Sequence, residues 1–519
     1  MSETPVLLLR TSAELHAWCD AQRLCGTPVH FVPTMGALHQ GHQLLIRRAA
    51  EPRGAGVPAV LVSVFVNPLQ FGAGEDLERY PRQLEQDLVL AAAAGATALW
   101  APTTAAIYPA GPSEVTRLLP PASLVAGLCG ASRPGHFEGV ATVVARLLAL
   151  VRPQRLVLGE KDWQQLVVLR RMVADLGLPL TVEGCGTVRQ GDGLALSSRN
   201  SYLNAAQLQQ AVALPRALQA AQAAAGHDRD AAALIALVTR QLQEAGLQID
   251  YVAFVAAHTL RPLPQLGPLA LLAAAVHCGP ARLIDHTFLM TRAPIVAIDG
   301  PAGAGKSTVT KAFAQHLGLI YLDTGAMYRA VTWWVQQQGV DPSDAAAVAP
   351  LLVGLDLRLG ADQSVQINGH DVTAAIRSPE VTAQVSTVAA HGCVREALTA
   401  QQQAMGQRGG LVAEGRDIGT AVFPDAELKV FLTATVAERA RRRAQDLAQR
   451  GFAVPSLAEL EAQIAERDHL DSTRAIAPLQ QADDAVELVT DGMAIEAVIQ
   501  ALVDLFRSRV PEDAWPQPG

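Results

Sequence analysis

No two of the six cysteines (Cys19, Cys25, Cys129, Cys185, Cys278, Cys393) stand at CxxC spacing. Their scatter argues against a disulfide scaffold and a cysteine zinc site, and fits a reducing, cytoplasmic compartment. A basic excess is also missing. The formal net charge is −8 and the pI is near 5.9, which argues against a broad electropositive face for nucleic acid and leaves local Lys and Arg clusters to grip small anions. No uninterrupted apolar run approaches the roughly 18 residues of a membrane span. The opening MSETPVLLLR lacks a basic region followed by an apolar core, so a soluble, unexported protein with no membrane or nucleic-acid partner is expected. What is present is length: 519 residues, half of them apolar and 17% charged, enough for two compact domains or more.

The first 186 residues alternate short β-branched runs (PVHFVP, AVLVSVFV, RLVLG) with polar loops and helix-like stretches. That pattern predicts an α/β domain of Rossmann-like type, a parallel sheet with crossover helices. Over 187–290 it changes to Ala- and Gln-rich helices (205 to 246) and then strands near IDYVAFVA and ARLIDHTFLM, which predicts a small α+β subdomain. The Ala-rich stretches suit helix interiors rather than disorder, because alanine has the best helix propensity. IVAID then opens a fresh strand, glycine loop and helix after a joint of about four residues, Met290 to Ala293, and a second domain is expected over 294–510. The Pro-rich end PEDAWPQPG, residues 511–519, is expected to fray as a flexible tail.

In VPTMGALHQGHQLL a strand ends at Pro33, Gly36 permits a tight turn, and His39 and His42 lie one helical turn apart at the start of a helix. Imidazoles there, with the helix dipole, are placed to stabilise negative charge on a triphosphate; HxxH alone also fits a surface or metal-binding pair. GEKDWQQL sets Gly159, Glu160, Lys161 and Asp162 at the carboxyl end of another strand, where open α/β sheets bind ligands. LALSSRN places Ser197, Ser198 and Arg199 in a loop suited to phosphate oxygens. NPLQF offers Asn67 and Gln70 as neutral donors for a small hydroxy acid.

With EDLERYPR, GASRPGHFEGV and ARLIDH, these blocks closely resemble the pantothenate synthetase (pantoate–β-alanine ligase) family of the nucleotidyltransferase superfamily, over about residues 5 to 290. The resemblance implies a catalytic domain over 1–186 and a lid subdomain over 187–290. It implies an ATP site of Met35, Gly36, Ala37, Leu38, His39, Gln40, Gly41, His42, Gly159, Glu160, Lys161, Asp162, Val188, Leu196, Ser197, Ser198 and Arg199, with Gln70 and Gln165 holding pantoate and β-alanine. His42 takes the role the family calls the proton donor, and His39, Lys161 and Arg199 complete the catalytic group. ATP with Mg²⁺ is implied as a substrate complex, with no prosthetic group. A homodimer through this half is a further expectation. Trp163 stands where a smaller aromatic is expected.

GPAGAGKST fits GxxxxGK[ST] in full, after the strand IVAID and before a helix, the context that makes a P-loop match specific. Gly300, Pro301, Ala302, Gly303, Ala304, Gly305, Lys306, Ser307 and Thr308 are thus expected to hold ATP: backbone amides cradle the β-phosphate, Lys306 reaches the β and γ oxygens, and Ser307 ligates Mg²⁺. The motif leaves ATPase, GTPase and small-molecule kinase open, and the absence of NKxD weighs against a GTPase. LDTGAMYR, EGRDIGT and ERDHLDSTRAIAP add four arginines. Each alone is more often a solvated charge, but set among strand ends and turns they suit a phosphorylated acceptor. With SPEV and VREAL, these blocks closely resemble bacterial cytidylate kinase, a P-loop nucleoside monophosphate kinase, across about 294 to 508. The resemblance implies that Thr324, Arg329, Arg416, Arg467 and Arg474 surround the phosphate and sugar of CMP or dCMP, Asp471 the ribose, and Ser386, Arg395 and Asp417 the cytosine. Arg441, Arg442 and Arg443 fit either a mobile lid over the γ-phosphate or a solvated basic helix face. Two other readings compete. The first half could be a tRNA-charging, class I synthetase-like fragment, which would want a basic RNA surface not evident here. The second could be a nucleotide-sensing module, which would not need Lys306, Ser307 and the arginine set.

Overall fold

The β-branched runs of the first half become six parallel strands: β1 (Leu7–Leu9), β2 (Val29–Thr34), β3 (Ala59–Val64), β4 (Ala98–Trp100), β5 (Arg155–Gly159) and β6 (Thr181–Cys185). A computed structural model of the chain describes residues 6–52, 56–72, 74–360, 362–449, 451, 453–516 and 518. The spatial order is β1-β4-β3-β2-β5-β6. Both faces of the sheet are covered. Along β3, Ala59 and Leu61 enter one core with Phe31, Trp100 and Leu156, while Val60 and Val62 enter another with Ile46 and Leu99. Alternation between two apolar cores is why these strands read as continuous hydrophobic runs. Burying each such Val or Leu contributes about 1.5–3 kcal/mol. The strand order reverses between β2 and β5, and a parallel sheet leaves a ligand crevice beyond its carboxyl ends at that point.

Residues 205–244 form helices Ala205–Ala211, Ala213–Ala224 and Ala231–Glu244, packed on an antiparallel sheet of β7 (Gln248–Ala256), β8 (Leu269–Cys278) and β9 (Ala281–Met290). Ala270, Leu272, Ala274 and Val276 of β8 share a core with those helices, whereas Leu271 and Ala273 join the core of the parallel sheet. The subdomain is therefore keyed into its neighbour by the opposite face of the same strand. Trp163 adds to this joint: its Nε1 donates to the Ala257 carbonyl at 2.7 Å and its ring meets Phe288 edge-on at 4.8 Å. The larger indole spans a distance that a smaller ring would leave open.

The chain divides into two compact units, the first containing residues up to Thr291 together with Pro511–Pro516. Residues 511–516 are thus anchored, where fraying was expected of 511–519. Ala514 and Trp515 N–H close a turn on the Pro511 carbonyl, and Glu512 and Asp513 donate their amides to the buried Glu160 carboxylate at 2.9 and 2.8 Å. Composition suggested a solvated tail; buried partners for its acids and amides anchor it instead. Gln517 and Gly519 lie outside the described residues.

The second unit is built on residues 292–510. Strand β10 (Ile295–Asp299) lies central in an all-parallel sheet, β11-β15-β10-β16-β17, with β11 (Ile320–Asp323), β15 (Leu411–Gly415), β16 (Leu428–Thr433) and β17 (Val486–Val489). A small antiparallel sheet of β12 (Leu357–Leu359), β13 (Val365–Ile367) and β14 (His370–Asp371) interrupts it in sequence. Ile295 and Ala297 of β10 pack into one core with Met327, Leu411, Ala413 and Phe423. Helix Lys306–Leu317 follows β10 directly across the glycine loop. Among the described residues no helix is long and apolar enough to cross a membrane.

Candidate active sites

Helix Gln40–Ala50, which follows β2, begins on a cap made of two histidines. His39 is the N-cap; its Nδ1 accepts the Gly41 N–H at 3.1 Å, and His42 Nδ1 accepts the His39 N–H at 3.3 Å. Because both Nδ1 atoms accept, each neutral ring carries its proton on Nε2 and keeps one N–H to donate. The ring centroids are 4.2 Å apart. Burial pushes His39 down to about 4, helped by Lys161, and His42 down to about 3, helped by His39. Near neutral pH the pair therefore offers hydrogen bonds rather than imidazolium charge. Among the described residues, no group of three or more His, Cys, Asp or Glu is placed to hold a metal ion, so the metal-binding alternative for HxxH finds no third ligand here.

The loop before that helix is held from beneath. Asp87, on helix Leu84–Ala93, accepts the amides of Ala37 at 3.1 Å and Leu38 at 2.7 Å. Gly36 has φ +85°, and a Cβ there would lie 2.9 Å from both Asp87 Oδ2 and Val64 Cγ1, so the turn needs glycine on conformational and steric grounds. Gln70 Nε2 reaches Met35 Sδ at 3.2 Å, and Ser198 Oγ donates to the Ala37 carbonyl at 3.3 Å. Leu196 N–H donates to the Val188 carbonyl at 2.9 Å. Segments far apart in sequence thus meet around Met35–His42.

A small cavity, about 90 Å³, gathers Lys161, Asp162, Gln165, Ser197 and Arg199. Its lining does not include Met35–His42 or Gln70, but does include Arg133, His136, Asp285 and His286, which were not singled out from the sequence. The block GASRPGHFEGV that carried part of the resemblance contains Arg133 and His136, so a signal was there. Arg133 pairs with Glu75, and both Arg133 and His136 donate to the Gln70 carbonyl, at 3.2 and 2.8 Å. Arg199 forms a two-pronged pair with Asp76 at 3.0 and 2.9 Å. Two expectations need correction. The Glu160 side chain, 1% exposed, is engaged by the amides of Glu512 and Asp513 and is absent from the cavity lining. Asn67 is 1% exposed and fully engaged: its Nδ2 donates to Gln70 Oε1 and the Gly139 carbonyl, and its Oδ1 accepts from Leu69 N–H and Tyr108 OH. Asn67 orients Gln70 and has no donor left for a ligand.

In the second unit the glycine loop joins β10 to helix Lys306–Leu317, and a Cβ on Gly300 would lie 2.0 Å from the Leu432 carbonyl oxygen. Lys306 Nζ donates to the carbonyls of Gly300 at 2.7 Å and Pro301 at 2.8 Å, which leaves the ammonium one of its three N–H groups. Burial, with Arg416 nearby, pushes Lys306 down to about 7. Ser307 Oγ bonds Glu414 at 2.5 Å, and Thr324 Oγ1 the Glu414 carbonyl at 2.6 Å. Asp299 at the end of β10 accepts the amides of Ile418 at 2.8 Å and Gly419 at 2.7 Å, and burial raises it to about 6.

A cleft of about 840 Å³ joins Ala302–Thr308 to Thr324, Arg329, Ser386, Arg395, Arg416, Asp417, Arg467, Asp471 and Arg474. The arginines are held by carboxylates: Arg329 by Asp323 at 3.0 Å, Arg416 by Asp471 at 3.0 Å, and Arg395 with Arg474 on the two oxygens of Asp417. Arg395, 3% exposed, also donates to the Ala389 carbonyl and lies over the Tyr328 ring at 5.5 Å. The three arginines of helix Val436–Gln449 differ in placement. All three line the cleft, but Arg441 pairs with Glu438 and is half exposed, whereas Arg442 donates to the Ala304 carbonyl at 3.2 Å. Arg439, not singled out from the sequence, donates to the Ala302 carbonyl at 3.1 Å and pairs with Asp468.

Fold and site together define two nucleotide-handling units, one of nucleotidyltransferase type and one a P-loop nucleotide kinase. Comparison with known proteins agrees: the family description Pantoate-beta-alanine ligase matches residues 7–288 and Cytidylate kinase matches 296–508. The chain is 66% identical over 517 residues to the bifunctional pantoate ligase/cytidylate kinase of Parasynechococcus marenigrum, covering 99% of this chain and 100% of the relative. It is 64% identical over 509 residues to that of Prochlorococcus marinus, covering 97% and 100%. A crystal structure of pantothenate synthetase from Thermus thermophilus is 46% identical, with a TM-score of 0.50 over 54% of this chain and 98% of that one. The chain belongs to the bifunctional pantoate ligase/cytidylate kinase family.

Proposed function

We propose that the first unit condenses pantoate with β-alanine at the expense of ATP, and that the second transfers a phosphoryl group from ATP to CMP or dCMP. In the first reaction a pantoate carboxylate oxygen attacks the α-phosphorus, and the bond to pyrophosphate breaks. The β-alanine amine then attacks the acyl carbon, AMP leaves and the amine loses a proton. Neither step needs a covalent group from the protein, so catalysis is positioning and charge neutralisation. The Nε2–H groups of His39 and His42, at the point where strand order reverses, carry this reading: they are neutral donors preset for phosphate oxygens. Lys161 and Arg199 supply positive charge, and Gln70 and Gln165 hold the hydroxy acid and the amine. Residues 187–290 act as the lid that keeps water from the acyl adenylate. Self-association of this unit, if it occurs, is read by sedimentation of the purified chain.

In the second reaction a CMP phosphate oxygen attacks the γ-phosphorus of ATP and ADP leaves. The observation that supports it is one cleft holding Lys306 and the arginine set together. Mg²⁺ enters with ATP as part of the substrate, its remaining sites filled largely by phosphate oxygens and water, with Ser307 the protein ligand. Asp417 and Arg395, paired and buried, present an acceptor beside a donor, which complements the amino group and ring acceptors of cytosine and mismatches uracil. The deciding experiment assays the purified chain for AMP release with pantoate plus β-alanine and for ADP release with CMP. Absence of either product overturns the corresponding half of the proposal.

A further inference from the structure

The six residues Pro511–Pro516 follow residues 292–510 of the second unit in sequence, yet belong to the first. They touch four segments, three of which carry residues of the proposed adenylation site, while the fourth, β9, lines the cavity beside Lys161. The amides of Glu512 and Asp513 hold Glu160, the residue before Lys161. Asp513 Oδ1 accepts the Thr187 N–H at 2.8 Å and Oδ2 accepts Thr187 Oγ1–H at 2.6 Å, next to Val188. Glu512 pairs with Arg48 at 3.0 Å, on the helix that begins with His39 and His42. Asp513 Oδ2 lies 3.8 Å from Nε2 of His286, which lines the cavity with Lys161. Ala514 packs on the core beneath.

We infer that the end of the chain is a positioning strap for the ligase reaction, tying together the ends of β5 and β6, the histidine helix and β9. The first amides of its turn bind Glu160 as a helix start binds an anion, and its own acids return hydrogen bonds to the loop after β6. Its residues do not line the cavity. They set where Lys161, Val188 and the histidines stand. The inference rests on the ligase reading of the first unit and adds that the unit's site is incomplete when the chain stops after the kinase.

The test uses the full chain, the same chain ended after Val510, and full-length Asp513→Ala and Asp513→Asn. Ended at Val510, the chain should lose roughly tenfold to a hundredfold in ligase kcat/KM for ATP, the scale set by a misplacement of about 1 Å. A rise in KM for ATP should account for more of the loss than a fall in kcat. CMP phosphorylation by the same preparation should stay within about twofold, which also reports folding of the second unit. Asp513→Ala should lie between the truncation and wild type, and Asp513→Asn, which keeps one acceptor, nearer wild type. Hydrogen exchange at residues 160–163 and 186–188 should speed up in the truncated chain. That readout does not depend on ligase activity: a wild-type chain without AMP release overturns the ligase reading, whereas unchanged exchange on truncation overturns the strap. Unchanged ligase kinetics in the truncated chain would overturn it as well.

Discussion

The two phosphate loops of this chain begin alike and end differently. Both leave the carboxyl end of a central parallel strand, turn on a glycine and enter a helix: Thr34 to Gln40 in the first unit, Asp299 to Lys306 in the second. A buried carboxylate fixes backbone in each unit, but differently: Asp87 holds the first loop itself at Ala37 and Leu38, whereas Asp299, where the second loop begins, holds Ile418 and Gly419 of the segment after β15. The difference lies in where the cation comes from. The second loop carries its own, Lys306, whereas the first carries two neutral imidazoles and, in the proposed reaction, takes charge from Lys161 and Arg199 on other segments. A loop with its own cation can be recognised from nine consecutive residues. One that borrows charge is specified only when the whole unit has folded.

The comparison breaks most readily at the loops themselves. His42→Ala should lower adenylate formation about 10²- to 10³-fold, as for loss of one preset donor to developing charge, and leave CMP phosphorylation within about twofold. Lys306→Ala should do the converse, with a loss at least as large. Pyrophosphate release at the wild-type rate in His42→Ala would remove the histidine from the mechanism.

A smaller effect is expected at Asp417 and Arg395, the pair proposed to read the base. Asp417→Asn leaves Arg395 with a neutral partner and gives the position an amide that can donate to uracil. The ratio of kcat/KM for CMP over UMP should be at least tenfold in wild type, since an unpaired buried polar group costs about 1–3 kcal/mol, and should narrow in the variant. An undiminished ratio would shift base reading to Ser386 and Arg395.

Acid should separate the units more gently. His39, His42 and His136 are held below their ordinary value, near 4, 3 and 4. A base with a depressed folded pKa contributes stability that is present above its unfolded value, about 6.5, and lost as pH falls through the folded one. Glu160, raised to about 7 by burial and the Asp513 charge, and Asp87, raised by burial, act in the opposite sense, but these two carboxyls stand against three imidazoles. In the second unit Asp299 is raised to about 6, so its contribution is present below about 3.9 and lost as pH rises through 6. Between pH 4 and 6.5 the melting transition of the first unit should therefore rise with pH while that of the second does not. Asp299→Asn should shift only the second transition.

The smallest effect is a proton count. Lys306, near 7 in the unliganded cleft, is largely neutral at pH 8 and should regain its proton beside a triphosphate. Titration calorimetry in buffers of differing ionisation enthalpy should then report uptake of up to about one proton on ATP binding, absent in Lys306→Ala. The histidines, starting near 3 and 4, contribute none at that pH.

Local chemistry was what the sequence made legible. HxxH after a strand, the full GPAGAGKST motif and the arginine-bearing blocks each lie in a few consecutive residues; the structure places all of them at strand ends except ERDHLDSTRAIAP, whose Arg467 and Asp471 lie on helix Leu457–Thr473. Asp87, Asp76, Arg439 and Asp468 were not legible, because an acid or arginine alone carries no sign of a partner 29 to 123 residues away. Asn67 misled for a related reason: its side chain looks free in sequence, and only the fold supplies Tyr108 and Gly139 to engage it. PEDAWP, residues 511–516, was misread most fully. Its proline content is that of a frayed end, and the partner of its amides, Glu160, lies about 350 residues earlier.

The return of Pro511–Pro516 to the first unit has a consequence for synthesis. A ribosome adding roughly 5–20 residues per second would need roughly 10–45 s to pass from the end of β9 to the strap. Throughout that interval the amino-terminal unit is present without its last piece, and a chain broken anywhere in the kinase never receives it. On the strap inference the kinase body is whole once Val510 has been added, and full ligase activity waits for the six residues that follow, so the two activities mature in the reverse of their order along the chain.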